Sequence, residues 1–287
     1  MNTTPSGNTT QILVHQRYSW RRDYFSPTCS NSMISSQGYI DTGTGTLSCS
    51  IGTCGSFTNL DADVICTDFS NTTNYSSGER FDTLSLPLNK TFVAGFISGA
   101  WLSLAIGGGG NWQVTTKIQL NVRPDGIINT SPVTSTIPVL YRTINVQHVH
   151  IVQMADADPS DILRCRWSTN NTPVNFNNYD ECASVCSPSL PVFQLIPDNC
   201  TLVYTITALD YYAVALQIED YYDSSSATPM SSVPLQFLFY GVNAPGGCSI
   251  APTIIGVRPN LGLLLVHVFS YIIRVSIFFS LYWNTDQ

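Results

Sequence analysis

Charge is what this sequence has least of. Its 12 Lys and Arg and 19 Asp and Glu make up only 11% of 287 residues, whereas an ordinary globular domain carries about 25%. Disorder does not explain the shortfall, because 44% of the residues are hydrophobic and disordered chains pair low hydrophobicity with high charge. Basic residues are the minority. A net charge of −7 excludes nucleic acid as a partner, since that binding needs a basic face to release counterions. Helical periodicity is almost absent, and apolar residues recur at every second position instead. No signal-peptide core is present in residues 1–20, where the longest apolar run is Ile12-Leu13-Val14.

Catalytic signatures are missing too. There is no His-Glu-x-x-His, no Gly-x-Ser-x-Gly, and there are four histidines in all. Asp41-Thr42-Gly43 stands without a second copy, while aspartic proteases need two carboxylates sharing one proton. Gly107–Gly110 leads into Asn111-Trp112 rather than the Lys-Ser/Thr or the helix of a phosphate loop. A hydrolase therefore ranks third among the functional expectations.

Cysteine, by contrast, is plentiful. Cys29, Cys49, Cys54 and Cys66 form one cluster, and Cys165, Cys182, Cys186 and Cys200 form another, with Cys248 left over. Four plus four predicts two disulfides in each of two domains, with three connectivities open in each. Zinc is disfavoured, because neither Cys49-x4-Cys54 nor Cys182-x3-Cys186 faces a second close pair. Cys248 needs a partner from a segment this sequence does not contain. Asn-x-Ser/Thr triplets occur at Asn2, Asn8, Asn71, Asn74, Asn89, Asn129, Asn170 and Asn199. Each is an N-glycan acceptor in a secretory compartment. Disulfides and acceptors together predict an extracellular or plasma-membrane protein, and the absent signal peptide then implies a start that precedes this sequence.

The expected organisation is a disordered stretch over 1–16, a β-sandwich over 17–128 and a second over 129–245. A linker or truncated module follows over 246–260, then a hydrophobic segment over 261–283. The clearest strand is 114–122, with Val114, Thr116, Ile118, Leu120 and Val122 facing one way and Thr115, Lys117, Gln119 and Asn121 the other, which predicts a half-buried antiparallel strand. Residues 91–106 read as two short strands joined by a bend, and 143–154 as a strand with a phase slip near His148. In 212–219, Tyr212, Val214, Leu216 and Ile218 face inward, and Ala213, Ala215, Gln217 and Glu219 outward. Pro234 marks 233–240 as an edge strand or a strand start. Short strands, frequent turns and about 110 residues per unit fit an immunoglobulin-like sandwich.

Leu261–Trp283 carries one basic residue, Arg274, and is long enough for a single-pass anchor. Arg274 would cost roughly 2.5–3.5 kcal/mol at the bilayer centre, and its neighbours each return roughly 0.3–0.6 kcal/mol. A glycolipid-anchor tail, a buried segment and an aberrant chain end are the alternatives.

Asp156-Ala157-Asp158-Pro159-Ser160-Asp161 follows a strand, and Glu219 and Asp220 close a later one. Carboxylates converging from two strand ends suit Ca²⁺, which takes six to eight oxygens. Asp156, Asp158, Asp161 and Asp220 are thus the candidate ligands, and Ca²⁺ the one cofactor expected. His148 and His150 share a strand face but lack a third metal ligand. Trp101, Trp112 and Tyr221-Tyr222 are candidate contact residues, since aromatics anchor interfaces.

One set of residues carries a resemblance: Asp156-Ala157-Asp158, Arg164-Cys165-Arg166-Trp167, Glu181-Cys182 through Cys186, Cys200-Thr201-Leu202, Tyr211 through Asp220 and Ser231 through Phe237. It resembles modules of large, mostly uncharacterised extracellular proteins of invertebrates, with immunoglobulin-like or cadherin-like sandwiches beside disulfide-rich modules. The resemblance covers 129–260 and implies no activity. Its Asp-x-Asp is similar to the calcium-bridging turns of cadherins. The first expectation is therefore a non-enzymatic adhesion, matrix or receptor ectodomain with a protein or glycan ligand. The second is a calcium-dependent, lectin-like sandwich.

Overall fold

The computed structural model describes residues 7–23, 27–40, 45–99, 101–107, 110–171, 175–186 and 193–244, and the backbone alone of 273–278. Among these residues the chain is all-β, with one α-helix of 6 residues, Asn31–Ser36. The first unit holds β1 (Thr9–Arg21), β2 (Tyr39–Ile40), β3 (Thr46–Gly52), β4 (Leu60–Asp61), β5 (Val64–Ser70), β6 (Tyr75–Pro87), β7 (Thr91–Ser98) and β8 (Trp112–Gln119). The second holds β9 (Val133–Ser135), β10 (Val139–Thr143), β11 (Gln147–Ile151), β12 (Gln153–Ala155), β13 (Ile162–Trp167), β14 (Phe193–Ile196), β15 (Thr201–Thr205), β16 (Tyr211–Tyr221) and β17 (Ser231–Val242), and β18 (Ile273–Phe278) follows.

A 13-stranded sheet runs through both units in the order β2-β5-β6-β1-β18-β17-β8-β7-β3-β4, with β16 and β10 also on β17 and β13 on β16. β11-β15-β14 and β12-β9 form two smaller sheets. Two apolar cores result. Tyr212, Val214, Leu216 and Ile218 of β16 and Val233, Leu235, Phe237 and Phe239 of β17 belong to the second. Ala213 and Ala215 of β16 and Leu238 of β17 belong to the first, with Trp20, Phe96, Trp101 and Trp112. β16 and β17 are thus a wall between the cores. The alternation of β16 is as the sequence predicts, but the face expected to meet solvent meets the other unit, and Gln217 and Glu219 are buried with it.

The same covering corrects the expectation for β8. Val114, Thr116, Ile118 and Leu120 are buried as expected, but Gln113 and Thr115 are buried as well, because the second unit packs over them. Val122 has left the strand and is exposed. The first 16 residues are not all a tail. β1 begins at Thr9 and pairs with β6 along its whole length, from Thr9–Pro87 to Arg21–Tyr75, and Ile12 and Val14 are fully buried. A single strand, β7, replaces the expected pair of strands over 91–106. Gly95 lies inside it because a Cβ there would meet Ser50 Oγ at 2.8 Å. Residues 143–154 are broken twice, by a turn at 144–146 with Asn145 at φ 60° between β10 and β11, and at Val152 between β11 and β12. Val152 is buried, and its N–H donates to Cys200 O at 3.0 Å.

Pro234 does not mark an edge. β17 pairs along one side with β16, and its other side meets β8 at Ser232, β18 at Leu235 and β10 from Leu238 to Val242. Pro234 sits where that side changes partners, so its missing N–H interrupts no continuous ladder. Part of the apolar C-terminal run is strand β18, parallel to β1 from Ile12–Ile273 to Arg17–Phe278. No helix among the described residues is long and apolar enough to cross a membrane. Residues 261–272 and 279–283, the linker 246–260 with Cys248, and Asp41-Thr42-Gly43 lie outside the described residues.

Disulfides join Cys29 to Cys66, Cys49 to Cys54, Cys165 to Cys200 and Cys182 to Cys186, with Cα–Cα distances of 5.6, 6.2, 5.4 and 5.0 Å. Every pair lies within its own sequence cluster. Asp180 stands beside Cys182 and Cys186, but cysteines spent on a disulfide offer no thiolate to a metal.

Candidate functional site

The seam between the units is polar, and its charges are grouped. Arg123 lies in the turn after β8, closed by Gly126 N–H donating to Arg123 O at 2.9 Å, with Gly126 at φ 86°. That positive φ is why the Pro-Asp-Gly sequence turns here. The Arg123 side chain is 1% exposed. Its guanidinium grips Asp161 with two bonds of 2.7 and 2.9 Å. It also lies 2.9 Å from Asp158 and 3.1 Å from Asp125.

Asn129 links this group to the end of β16. Its Oδ1 accepts from Arg123 Nη1 at 3.2 Å, and its Nδ2 donates to Asp220 Oδ2 at 2.5 Å. Asp220 is fully buried and accepts from the Ser231 N–H and hydroxyl at 2.6 and 2.8 Å. Thr130 donates its N–H and hydroxyl to Asp158 Oδ2, both at 2.8 Å. Asp156 Oδ1 accepts from the Asp158 N–H at 2.8 Å, but Asp156 Oδ2 is buried with no hydrogen-bond partner.

Three of the four candidate calcium ligands are therefore brought together. Asp156, Asp158 and Asp161 each offer a carboxylate oxygen within 4.8 Å of the others, and Asp220 is tied in through Asn129. Burial, and then the charge of Asp220, pushes the Asp156 carboxyl up to about 8. Burial pushes Asp220 up to about 7, against the hydrogen bonds from Asn129 and Ser231. Arg123 is the cation that Asp158, Asp161 and Asp125 share. An all-oxygen set of this kind is the donor chemistry of a hard cation such as Ca²⁺. An open groove of about 450 Å³, lined by Ile151, Met154, Ile162 and Asp198 among others, reaches the cluster at Asp161.

A second buried pair of acids lies at the same seam. Arg166 of β13 holds Glu181 through bonds of 2.6 and 2.7 Å and Glu219 at 2.8 Å. Glu181 also accepts from Asn177 Nδ2 at 2.7 Å and the Thr169 N–H at 3.0 Å. Burial raises Glu219 despite Arg166. Around these groups the units share hydrogen bonds: Gln113 Nε2 to Asp180 O at 2.7 Å, Thr116 Oγ1 to Ser232 O at 2.8 Å, Gln236 Nε2 to Gln113 O at 2.8 Å and Lys117 Nζ to Pro229 O at 2.7 Å. Sequence reasoning found the acids at 156–161 and 220 but missed Arg123, Arg166 and Glu181. The usable signal was the scarcity of charge itself, since a buried charge in so uncharged a chain needs a partner.

Other expectations are corrected. Trp101, Trp112 and Tyr221 are 0%, 1% and 5% exposed, so they are core residues and offer no contact platform. His148 and His150 share the inward face of β11, but the His150 ring packs on Phe237 and Phe239, and His148 Nε2 lies 2.7 Å from Thr143 O. Among the acceptor asparagines, Asn8, Asn71, Asn89, Asn170 and Asn199 are exposed and Asn74 is half-buried, while Asn2 lies outside the described residues. Asn129 is 2% exposed with its carboxamide engaged at both ends. A glycan there is incompatible with this fold.

Residues 2–121 match the family model described as integrin beta-like protein A-E, N-terminal. No curated protein matches the chain. One solved structure, the two tandem V-type regions of VCBP3, a V-region-containing chitin-binding protein, is similar at a TM-score of 0.34 and 7% identity, covering 82% of this chain and 93% of that one. A likeness of that size carries no argument.

Proposed function

We propose that this chain is a non-enzymatic extracellular module of adhesion type. The observation that carries it is the pairing of eight cysteines in four disulfides, two per unit, a pattern that belongs to oxidising compartments. The integrin beta-like match over 2–121 supports the adhesion part. The ligand is an extracellular protein or glycan. The calcium-dependent lectin reading loses its aromatic platform with the burial of Trp101 and Trp112. The test is cell or matrix attachment to surfaces coated with the protein made in a secretory host. Saturable attachment blocked by soluble protein supports the proposal. Free thiols throughout, or attachment no better than to an uncoated surface, sinks it.

Calcium enters this proposal as a structural ion at the seam, held by Asp156, Asp158 and Asp161. The buried, unpartnered Asp156 Oδ2 favours it. A cation that binds only the folded state stabilises by mass action, about 2.7 kcal/mol at one hundred times its Kd. Thermal unfolding should shift upward in Ca²⁺ relative to chelator, and Asp156→Asn should abolish the shift. Equal midpoints in both buffers would reject the ion.

A further inference from the structure

Asn71 opens the turn Asn71–Asn74 between β5 and β6, and its side chain is exposed. Arg22 Nε donates to Asn71 Oδ1 at 2.9 Å. An arginine only donates, so this bond fixes which end of the carboxamide is oxygen. Nδ2 is therefore the other end of an exposed carboxamide. Arg22 is itself braced, with its guanidinium 4.4 Å from the Phe69 ring centroid, its N–H donating to Asn74 O at 2.9 Å and Nη1 bonded to Cys29 O. Thr72 O in the same turn accepts from Tyr141 OH of the second unit at 3.2 Å. The turn therefore stands at the seam.

The neighbouring acceptors differ. Asn74 has φ 54°, is half-buried and engages its side chain with Asp23, so its carboxamide is already held. Asn129 spends Nδ2 on Asp220. We infer that Asn71 carries an N-linked glycan standing over the junction of the two units, and that Asn74 and Asn129 carry none. In the step, Nδ2 loses one proton and bonds to C1 of an N-acetylhexosamine. The sugar comes from a lipid-diphosphate donor, and the lipid diphosphate leaves with the electron pair of the broken C1–O bond. Afterwards Oδ1 still accepts from Arg22, so modification costs the fold no hydrogen bond.

This inference rests on the extracellular proposal. Its test is peptide mapping of the full chain from a secretory host, with enzymatic deglycosylation in heavy-oxygen water to mark each occupied asparagine. A mark at Asn71, none at Asn74 or Asn129, one glycan's mass lost in Thr73→Ala and none lost in Ser131→Ala are the expected results. A wild-type map without a mark at Asn71, or with one at Asn74 or Asn129, overturns it. If Asn89 or Asn199 is marked in that map, the extracellular proposal survives. If no asparagine is marked and the thiols are free, both fall together.

Discussion

Arg123 joins Asp125, Asp158, Asp161 and Asn129 at the seam. Removing it would leave Asp158 and Asp161 buried and uncompensated, and breaking a buried pair from one side costs roughly 3–5 kcal/mol. Arg123→Met should lower the unfolding free energy, read from urea denaturation in chelator, by that amount. Arg123→Lys should recover little, since an ammonium cannot reproduce the two-bond grip on Asp161. His150 gives a pH dependence. Burial, then the nearby Arg142, lowers its pKa to about 4; Arg142 Nη2 lies 3.4 Å from its Nδ1, and the rings packed on it are Phe237 and Phe239. A histidine held neutral in the fold stabilises above its unfolded pKa of about 6.5, and that stability is lost as pH falls toward 4. Urea midpoints of the wild type should fall over that range more steeply than those of His150→Leu. Parallel slopes would show that another group dominates.

At the scale of an element, β17 is the strand with most partners and least slack. A Cβ on Gly241 would lie 1.9 Å from Ala208 O, a backbone atom that cannot swing aside, and Gly241 N–H donates to Asp210 O at 3.0 Å. Gly241→Ala should destabilise by roughly 1–3 kcal/mol, the usual range for overpacking, read from the chemical-denaturation midpoint. A neutral outcome would mean that the loop at 208–210 yields. Strand alternation was legible in β8 and β16 because a strand's side chains alternate whatever lies beyond them. The face assigned away from the core was wrong along β16, and at Thr115 in β8, because a second apolar or hydrogen-bonding surface, distant in sequence, covers it. Thr115, Gln217 and Gln236 look like surface residues by type alone, and their amides and hydroxyls are spent across the seam.

For the whole molecule, β16 and β17 contribute to both cores, so neither unit can lose its packing alone. The two should unfold in one cooperative transition, with calorimetric and van't Hoff enthalpies equal. Two resolved transitions would show that the units are independent despite the shared wall. Sequence spacing placed a division near residue 128, where Arg123 and Asn129 join the acids of the seam.

From its sequence alone this protein was determined to be all-β, poor in charge, and built on two local clusters of four cysteines. These properties depend on composition, on a period of two, and on short separations along the chain. The acids at 156–161 and 220 were legible for the same reason. Their partners were not: Arg123 and Asn129 reach them across separations of 38 and 91 residues, and no local pattern encodes that approach. Only the tertiary structure decided which face of a strand is covered, which asparagine is too deeply engaged to be modified, and that part of an apolar run long enough for a membrane lies as a strand along β1. Each of those outcomes depends on what surface another part of the chain brings alongside.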